Sequence, residues 1–375
     1  MSAAKHAKKD ERSRVRSIFL GISLVIVAIV AVVVGRNIPL LGGGQTTTLS
    51  GVIGSEKRPF FEDEDVIKRL REIGFSVDIR TAGSREIAEK IDSSQVDFVF
   101  PSSEPATEKI LRTNDDFHAT YPFYSPMTVA TFQPIVDVLK REGMVHERDG
   151  LPVLDMKSFV ELASAGSRWR ELGDEFPSPR SVQIRTTDIQ TSNSAAMYLA
   201  ILWWIFENED PDFDGSSVTE KIIPFFVNQG FTSASSAAPF SDYLSQGIGA
   251  APMVLVYEAQ FLEEALNDNS RLADDQVLLY LDPTVQAKHG IVGITEGGRE
   301  LAQVLATDEE LQKLAAKHGF RTQDPAVFAE VMEKSGLNPP SDYVASVDLP
   351  SYDQLENLIA TVGEVYGGGE GEVEE

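Results

Sequence analysis

The sequence predicts a two-lobed α/β protein with two crossing strands, preceded by one transmembrane helix. Three observations support this prediction: one long apolar segment near the N-terminus, a β-α-β-α-β order of patterns after it, and two long β stretches between two α/β blocks. The chain has 375 residues, of which 42% are hydrophobic. That length and composition are sufficient for two lobes with separate cores.

The apolar segment, Ser17–Gly35, contains no charged residue. As a helix it spans about 28 Å, close to the hydrocarbon thickness of a bilayer. Residues 1–16 carry six Lys or Arg and are predicted to be a cytoplasmic basic segment. The positive-inside rule then places the chain after Arg36 outside the plasma membrane. We therefore expect a single-pass signal anchor over residues 17–35, and a cleaved signal peptide is the alternative.

Low-complexity residues mark both ends of the folded region. Residues 36–48 contain a Gly triplet and a Thr triplet and predict a flexible linker, whereas residues 364–375 predict an acidic disordered tail. Between them, lobe II is inserted into lobe I. Lobe I comprises 49–124 and 282–363, lobe II comprises 134–276, and the hinge strands lie at 125–133 and 277–281.

Lobe I opens with alternating strand and helix patterns. The predicted strands are Leu49–Ile53, Phe75–Ile79 and Val96–Phe100, with amphipathic helical spacing between them. This order predicts a parallel sheet covered by helices on both faces. Later helices are predicted at Arg299–Leu305, Asp308–Lys317 and Pro325–Lys334.

Lobe II is built around one nearly unbroken apolar helix, Ala195–Phe206, which is too short to span a membrane and is predicted to be buried. Trp203 and Trp204 are interpreted as packing residues rather than ligand-stacking residues. The other predicted elements are helices at Met156–Ala165, Phe240–Leu244 and Glu258–Leu266 and strands at Val182–Ile184 and Met253–Val256.

Composition excludes several classes of function. The chain has no cysteine, which removes disulfides, thiol nucleophiles and the lipid attachment of a bacterial lipoprotein. Beyond residue 36 it is strongly acidic, so we expect no binding to nucleic acid. The five His show no H-E-x-x-H and no i, i+4 pair, and neither a P-loop nor G-x-G-x-x-G occurs. We therefore predict no metal, no cofactor and no catalytic residue.

Small hydroxyl residues follow each predicted strand. Ile53 is followed by Gly54-Ser55, the second strand by Gly83-Ser84, the third by Ser102-Ser103, and Ile184 by the segment RTTDIQTSNS. In open α/β sheets ligands bind beyond the carboxyl ends of the strands, where hydroxyls and helix starts offer hydrogen-bond donors. The alternative is that these Ser and Thr are ordinary helix N-caps.

These segments resemble the type II periplasmic solute-binding proteins, the group that includes molybdate- and sulfate-binding proteins of ABC importers. The resemblance covers roughly residues 49–335. It rests on the two Gly-Ser steps, the block TTDIQTSNSAAMY, the stretch GIGAAPMVLVYEAQ, and AKHGIVGITEGG leading into TDEELQKLAAKHGF. One departure is Ile189, where the family pattern has proline after the aspartate.

The resemblance implies hinge closure of two lobes over a small polar solute. A tetrahedral oxyanion is the preferred solute; an amino acid, a sugar and an organic acid stay open. An ABC permease is the partner that the family would supply. The resemblance implies the ligand-binding residues Ser55, Ser84, Ser103, Thr187, Ser192, Asn193 and Tyr257. The strand-end segments add Ser102, Asp188 and Ser194 to the predicted ligand-binding residues, and Lys57 is added as a local positive charge.

Two other functions stay open. The same fold could serve as an anchored sensor or protein-interaction domain, which an exposed apolar patch would favour over a polar cleft. Ser55 and Lys57, at S-x-K spacing, could instead form the dyad of an anchored hydrolase.

Overall fold

Ten strands form one continuous hydrogen-bonded sheet that runs through both lobes. Eight of them follow the order β2-β1-β3-β9-β4-β8-β6-β5, and β10 and β7 both pair with β4. The computed structural model describes residues 46–230, 232–340 and 346–367, and the chain from Thr47 onward forms one compact unit. The strands are β1 Thr47–Ile53, β2 Phe75–Thr81, β3 Phe98–Phe100, β4 Ala119–Phe132, β5 Val145–Arg148, β6 Leu151–Asp155, β7 Met253–Tyr257, β8 Gln276–Asp282, β9 Gln286–Gly293 and β10 Arg321–Thr322.

Fifteen α-helices connect the strands within the described residues. They are α1 Arg58–Glu62, α2 Glu64–Glu72, α3 Ser84–Lys90, α4 Glu104–Leu111, α5 Gln133–Arg141, α6 Met156–Ser164, α7 Asn193–Glu209, α8 Val218–Lys221, α9 Pro224–Val227, α10 Ala237–Gln246, α11 Glu258–Leu266, α12 Glu296–Thr307, α13 Glu309–Lys317, α14 Pro325–Lys334 and α15 Tyr352–Gly367.

The parallel sheet predicted for lobe I is confirmed. β1 pairs in parallel with β2 on one side and with β3 on the other. The apolar side chains of this sheet pack against helices on both faces. One cluster contains Ile53, Phe100 and the helical residue Leu301, and the cluster on the other face contains Val52 and Val99. Because all three strands run the same way, their carboxyl ends meet at one edge of the sheet.

Lobe II is organised around α7, which is buried on all sides for most of its length. Ala, Leu and Met favour the helix, and the absence of a polar face explains its central position. Trp203 and Trp204 pack against this core, as predicted. The prediction of a strand at Val182–Ile184 is wrong, because the structure has only isolated β-bridges beside this segment, at Ser181 and Arg185.

The chain crosses between the lobes at two places. β4 pairs with β9 up to Pro126 and with β7 from Met127, so one strand belongs to both sheet regions. The second crossing, Pro283–Val285, separates β8 from β9. The predicted hinge strands 125–133 and 277–281 lie at and immediately before these crossings.

Several predicted boundaries differ from the structure. β1 begins at Thr47, inside the predicted linker, and α15 continues to Gly367, inside the predicted tail. The apolar side chains of α15, assigned to lobe I from the sequence, lie in the lobe II core. The β5–β6 hairpin was not predicted.

The predicted anchor, Ser17–Gly35, lies outside the described residues, as do the basic segment 1–16 and most of the linker and tail. Among the residues that the structure does describe, no helix is long and apolar enough to cross a membrane.

Candidate functional site

The ends of the lobe I strands face the start of α7 and the end of β7 from lobe II. β1 leads through Gly54 into a short 3-10 helix, Ser55–Lys57, and β3 leads to Ser102. Between the lobes lies a polar cavity. Its lining residues are Gly54, Ser55, Glu56, Ala82, Gly83, Ser84 and Ser102 from lobe I and Ser192, Asn193, Ser235, Ser236 and Tyr257 from lobe II.

The two lobes touch across this cavity. Asn193 Nδ2 of lobe II donates to the carbonyl oxygen of Ser102 at 3.3 Å and to Tyr257 Oη at 3.0 Å. Gly83 of lobe I packs so tightly that a β-carbon there would lie 2.2 Å from the carbonyl oxygen of Thr191. The structure therefore represents a closed arrangement of the lobes.

A buried ion pair lies behind the lobe I wall of the cavity. Lys57 Nζ donates to Glu56 Oε1 and, at 3.0 Å, to Ser102 Oγ. It also lies 3.1 Å from His289 Nδ1 and 4.8 Å from the centre of the Phe100 ring. Ser102 Oγ in turn donates to Glu56 Oε1 at 2.5 Å. The ammonium is thus enclosed by protein groups on several sides.

The charge states of this network follow from its burial and its contacts. Burial alone would raise the pKa of Glu56, but the charge of Lys57 and the hydrogen bonds from Lys57 and Ser102 lower it to about 2. Burial lowers the pKa of the Lys57 ammonium, and Glu56 opposes this effect. Burial and the charge of Lys57 lower the pKa of His289 to about 3. At neutral pH we therefore assign an ionised Glu56 and a neutral His289.

The hydroxyl groups of the cavity form a connected set. Ser84 Oγ accepts from the backbone N–H of Ser102 at 2.9 Å and donates to Ser102 Oγ at 3.0 Å. Burial and the charge of Glu56 raise the pKa of Tyr257, so that its phenol keeps its proton. The cavity wall therefore combines hydroxyls with one carboxylate.

Helix starts at the cavity lack the side-chain caps that other helices of this chain possess. Asp63, Asp155 and Asp308 each cap a helix by accepting from its backbone N–H groups. In contrast, Gly83 before α3 has no side chain, and Ser192 before α7 makes no side-chain cap hydrogen bond. The alternative that the hydroxyl is an ordinary N-cap is therefore wrong at Ser192.

Six of the predicted ligand-binding residues line the cavity: Ser55, Ser84, Ser102, Ser192, Asn193 and Tyr257. Lys57 does not line it, because its side chain is fully buried behind Glu56. Ser103 is buried, and its Oγ has no hydrogen-bond partner among the described residues.

The remaining predicted residues, Thr187, Asp188 and Ser194, lie in the turn before α7 or in its first turn and make hydrogen bonds there. Thr187 Oγ1 and Ser194 Oγ are hydrogen-bonded to each other at 2.7 Å. Asp188 Oδ1 accepts from the backbone N–H groups of Gln190 and Thr191. This Asx turn needs no proline after the aspartate, so Ile189 is compatible with it.

Four polar residues near the cavity were not predicted. Ser235 and Ser236 lie in a segment without any strand-end pattern, and His289 lies in the middle of β9. Glu56 directly follows the Gly54-Ser55 step at the end of β1. That position is the only signal in the sequence that points to it.

The cavity is small in this closed arrangement. The volume open to the centre of a water molecule is about 10 Å³, roughly what one water molecule needs. A larger groove, of about 560 Å³, lies on lobe II and is lined by side chains such as Val160, Phe206 and Phe225. Only lobe II contributes to that groove, whereas the small cavity joins both lobes at the strand ends.

The structure pairs Lys57 with Ser102 rather than with Ser55. In a Ser/Lys dyad the lysine takes the proton of the serine, which requires a neutral amine. Here the Ser102 proton points to Glu56, and Lys57 is paired with the same carboxylate. The contacts are those of a structural ion pair.

No protein-family profile and no curated protein matches the sequence of this chain. A periplasmic thiamin-binding protein aligns with a TM-score of 0.52 and 12% identity, over 86% of this chain and 97% of its own. The apo ferric-ion-binding protein A of Pasteurella haemolytica aligns with a TM-score of 0.52 and 12% identity, over 87% and 99%.

The sulfate-binding protein SubI of Mycobacterium tuberculosis also aligns, with a TM-score of 0.48 and 16% identity over 79% of this chain and 93% of its own. The two alignments above 0.5 establish the fold. The described chain has the two-lobed α/β fold of periplasmic solute-binding proteins, with a polar cavity between the lobes.

Proposed function

We propose that this chain is a membrane-anchored extracytoplasmic solute-binding protein that captures a small polar solute between its two lobes. The observation that carries the proposal is the cavity at the strand ends, whose polar side chains come from both lobes. A site divided in this way forms only when the lobes meet, so solute binding and closure are coupled.

The proposed cycle begins with opening of the lobes. Opening separates Asn193 from the Ser102 carbonyl and exposes the hydroxyls of Ser55 and Ser84. A solute then binds and replaces the lost contacts, and the strands that cross between the lobes act as hinges. The fold supports this cycle, because the thiamin- and ferric-ion-binding proteins that share it are named for small solutes.

Anchorage by Ser17–Gly35, an extracytoplasmic location at the plasma membrane and delivery to an ABC permease complete the proposal. The apolar segment and the charges before it support the anchor. A tetrahedral oxyanion, the solute class preferred from the sequence, would meet hydroxyl donors in the cavity. It would also meet the Glu56 carboxylate, so solute class needs its own test.

The test is thermal unfolding of the purified full-length chain with and without oxyanions, amino acids, sugars, organic acids and amines. A solute at a hundred times its Kd adds about 2.7 kcal/mol to the free energy of unfolding, which raises the Tm by several degrees. Asn193→Ala should abolish the shift. Asn208→Ala, at the exposed far end of α7, should leave it unchanged.

Two other functions would be supported by different results. If no solute class shifts the Tm, the chain is better explained as an anchored sensor or protein-interaction domain. If the chain hydrolyses an ester or amide and Ser55→Ala abolishes turnover, the Ser55/Lys57 hydrolase replaces the proposal.

A further inference from the structure

We propose that the cavity selects a solute bearing a primary ammonium group and that Glu56 is its counter-ion and the specificity-determining residue. This inference rests on the proposed function and names the class of solute.

The charged group that faces the cavity is a carboxylate. Glu56 lines the cavity and keeps 6% of its surface exposed, whereas Lys57 is 0% exposed and does not line it. The contacts of Glu56 with Lys57, Ser102 and His289 all fall on Oε1. Within the described residues, Oε2 makes no hydrogen bond, so one oxygen of the carboxylate is available as an acceptor.

No cationic side chain among the described residues lines the cavity. Lys57 pairs with Glu56 Oε1, but its side chain is fully buried and does not reach the cavity. Arg85, next to Ser84, is engaged by Glu89 and Glu356. Arg185 lies 3.9 Å from Asp242, outside the cavity lining. His289 is neutral at pH 7, because burial and Lys57 lower its pKa. An anion in the cavity would therefore meet the carboxylate without a facing positive side chain.

Size and hydrogen-bond chemistry agree with this electrostatic argument. An ammonium group has one heavy atom and fits a space of about one water molecule, whereas a tetrahedral oxyanion has five heavy atoms. An ammonium group donates three hydrogen bonds and accepts none. Glu56 Oε2 and the hydroxyl oxygens of Ser55 and Ser84 are acceptors of the kind that it needs.

The experiment is isothermal titration calorimetry of the full-length chain with methylammonium chloride, ethylammonium chloride, sodium sulfate, sodium phosphate and glucose. We expect binding of the two amine probes. Glu56→Gln should weaken it by about 10- to 100-fold, the usual loss when a charged hydrogen-bond partner is removed. Glu62→Gln, an exposed acidic change six residues away, should have no effect.

Glu56→Gln leaves Lys57 buried without its partner, which threatens folding. The double variant Glu56→Gln/Lys57→Met removes both charges at similar volume, so it tests the same loss without a stranded ammonium. Tighter binding of sulfate or phosphate than of amines by the wild-type chain would overturn this inference and leave the proposed function standing. Binding of no probe of any class would overturn both.

Discussion

At the scale of single residues, the most consequential feature is a neutral histidine buried beside an ion pair. His289 is fully buried, and its Nδ1 lies 3.1 Å from the Lys57 ammonium. Because an ammonium group only donates, Nδ1 accepts and Nε2 carries the ring proton. Nε2 has no hydrogen-bond partner within the described residues, so no acceptor stabilises a charged ring at that atom. The Glu56 carboxylate, 3.4 Å from Nδ1, favours the charged form, but burial and the charge of Lys57 outweigh it.

We predict that acidification destabilises the fold through His289 first. The pKa of His289 falls from 6.5 to about 3 on folding, so below pH 6.5 the unfolded chain binds a proton that the folded chain does not. The free energy of unfolding then decreases by about 2 kcal/mol between pH 6.5 and 5 from this residue. Glu56, with its pKa lowered from 4.5 to about 2, adds a second loss between those two values.

Urea unfolding at pH 7.5 and pH 5.0 measures this effect. His289→Asn keeps an acceptor for Lys57 but cannot be protonated, so its stability should fall by about 2 kcal/mol less than that of the wild type. His118→Asn, at an exposed position, should behave as the wild type. An unchanged pH dependence in His289→Asn would contradict the prediction.

The sequence predicted the position of single residues correctly where that position depends only on neighbouring residues in the chain. Ser55 and Ser84 follow strands whose apolar runs are clear in the sequence, so their place at the sheet edge could be predicted. Lys57 could not be placed correctly, because its burial depends on Phe100 of β3, Ser102 in the turn after β3 and His289 of β9. The same tertiary contacts explain why His289 was not predicted.

At the scale of elements, α15 joins the two lobes. Leu355, Leu358, Ile359 and Val362 pack into the lobe II core. On its other side Glu356 accepts from Arg85 of α3 and Lys109 of α4, both in lobe I. Amphipathic spacing predicts that such a segment packs on a core, but it does not indicate which core. This ambiguity explains its incorrect assignment to lobe I.

We predict that Glu356→Gln weakens this connection. Arg85 is largely buried, so loss of its partner should lower the free energy of unfolding by about 1–2 kcal/mol, between the values for exposed and buried pairs. Glu364→Gln, exposed near the end of the same helix, is the matched control and should cost less than about 0.5 kcal/mol. Urea unfolding in low salt measures both, and equal losses would contradict the prediction.

At the scale of the whole molecule, the sequence predicted the two lobes and the strands that cross between them. It could not predict how closely the lobes approach. That distance depends on contacts such as Gly83 against Thr191, between residues more than a hundred positions apart. The size of the cavity depends on the same contacts, so it could not be predicted from the sequence either.

We predict that Gly83→Ala prevents full closure while preserving each lobe. The φ of Gly83 is −64°, which alanine adopts freely, but its β-carbon would lie 2.2 Å from the Thr191 carbonyl oxygen. The lobes must separate to relieve this clash. Small-angle X-ray scattering should show a larger radius of gyration, and solute affinity should fall by about tenfold as the closed fraction decreases.

Gly249→Ala is the control, because a β-carbon there meets no atom within 4 Å. Its radius of gyration and affinity should match those of the wild type. A Gly83→Ala chain as compact as the wild type would show that lobe closure does not depend on this contact.

The path of the chain also has a consequence for biosynthesis. β3 pairs with β9, so Phe98 cannot form its cross-strand pair until Gly293, almost two hundred residues later, has been synthesised. A chain that emerges from the ribosome N-terminus first therefore completes the strands of lobe II before the sheet of lobe I can close. Until then β1 to β3 expose an unpaired edge, and closing so long a loop is slow. The first strands to be made thus need protection from aggregation for the longest time.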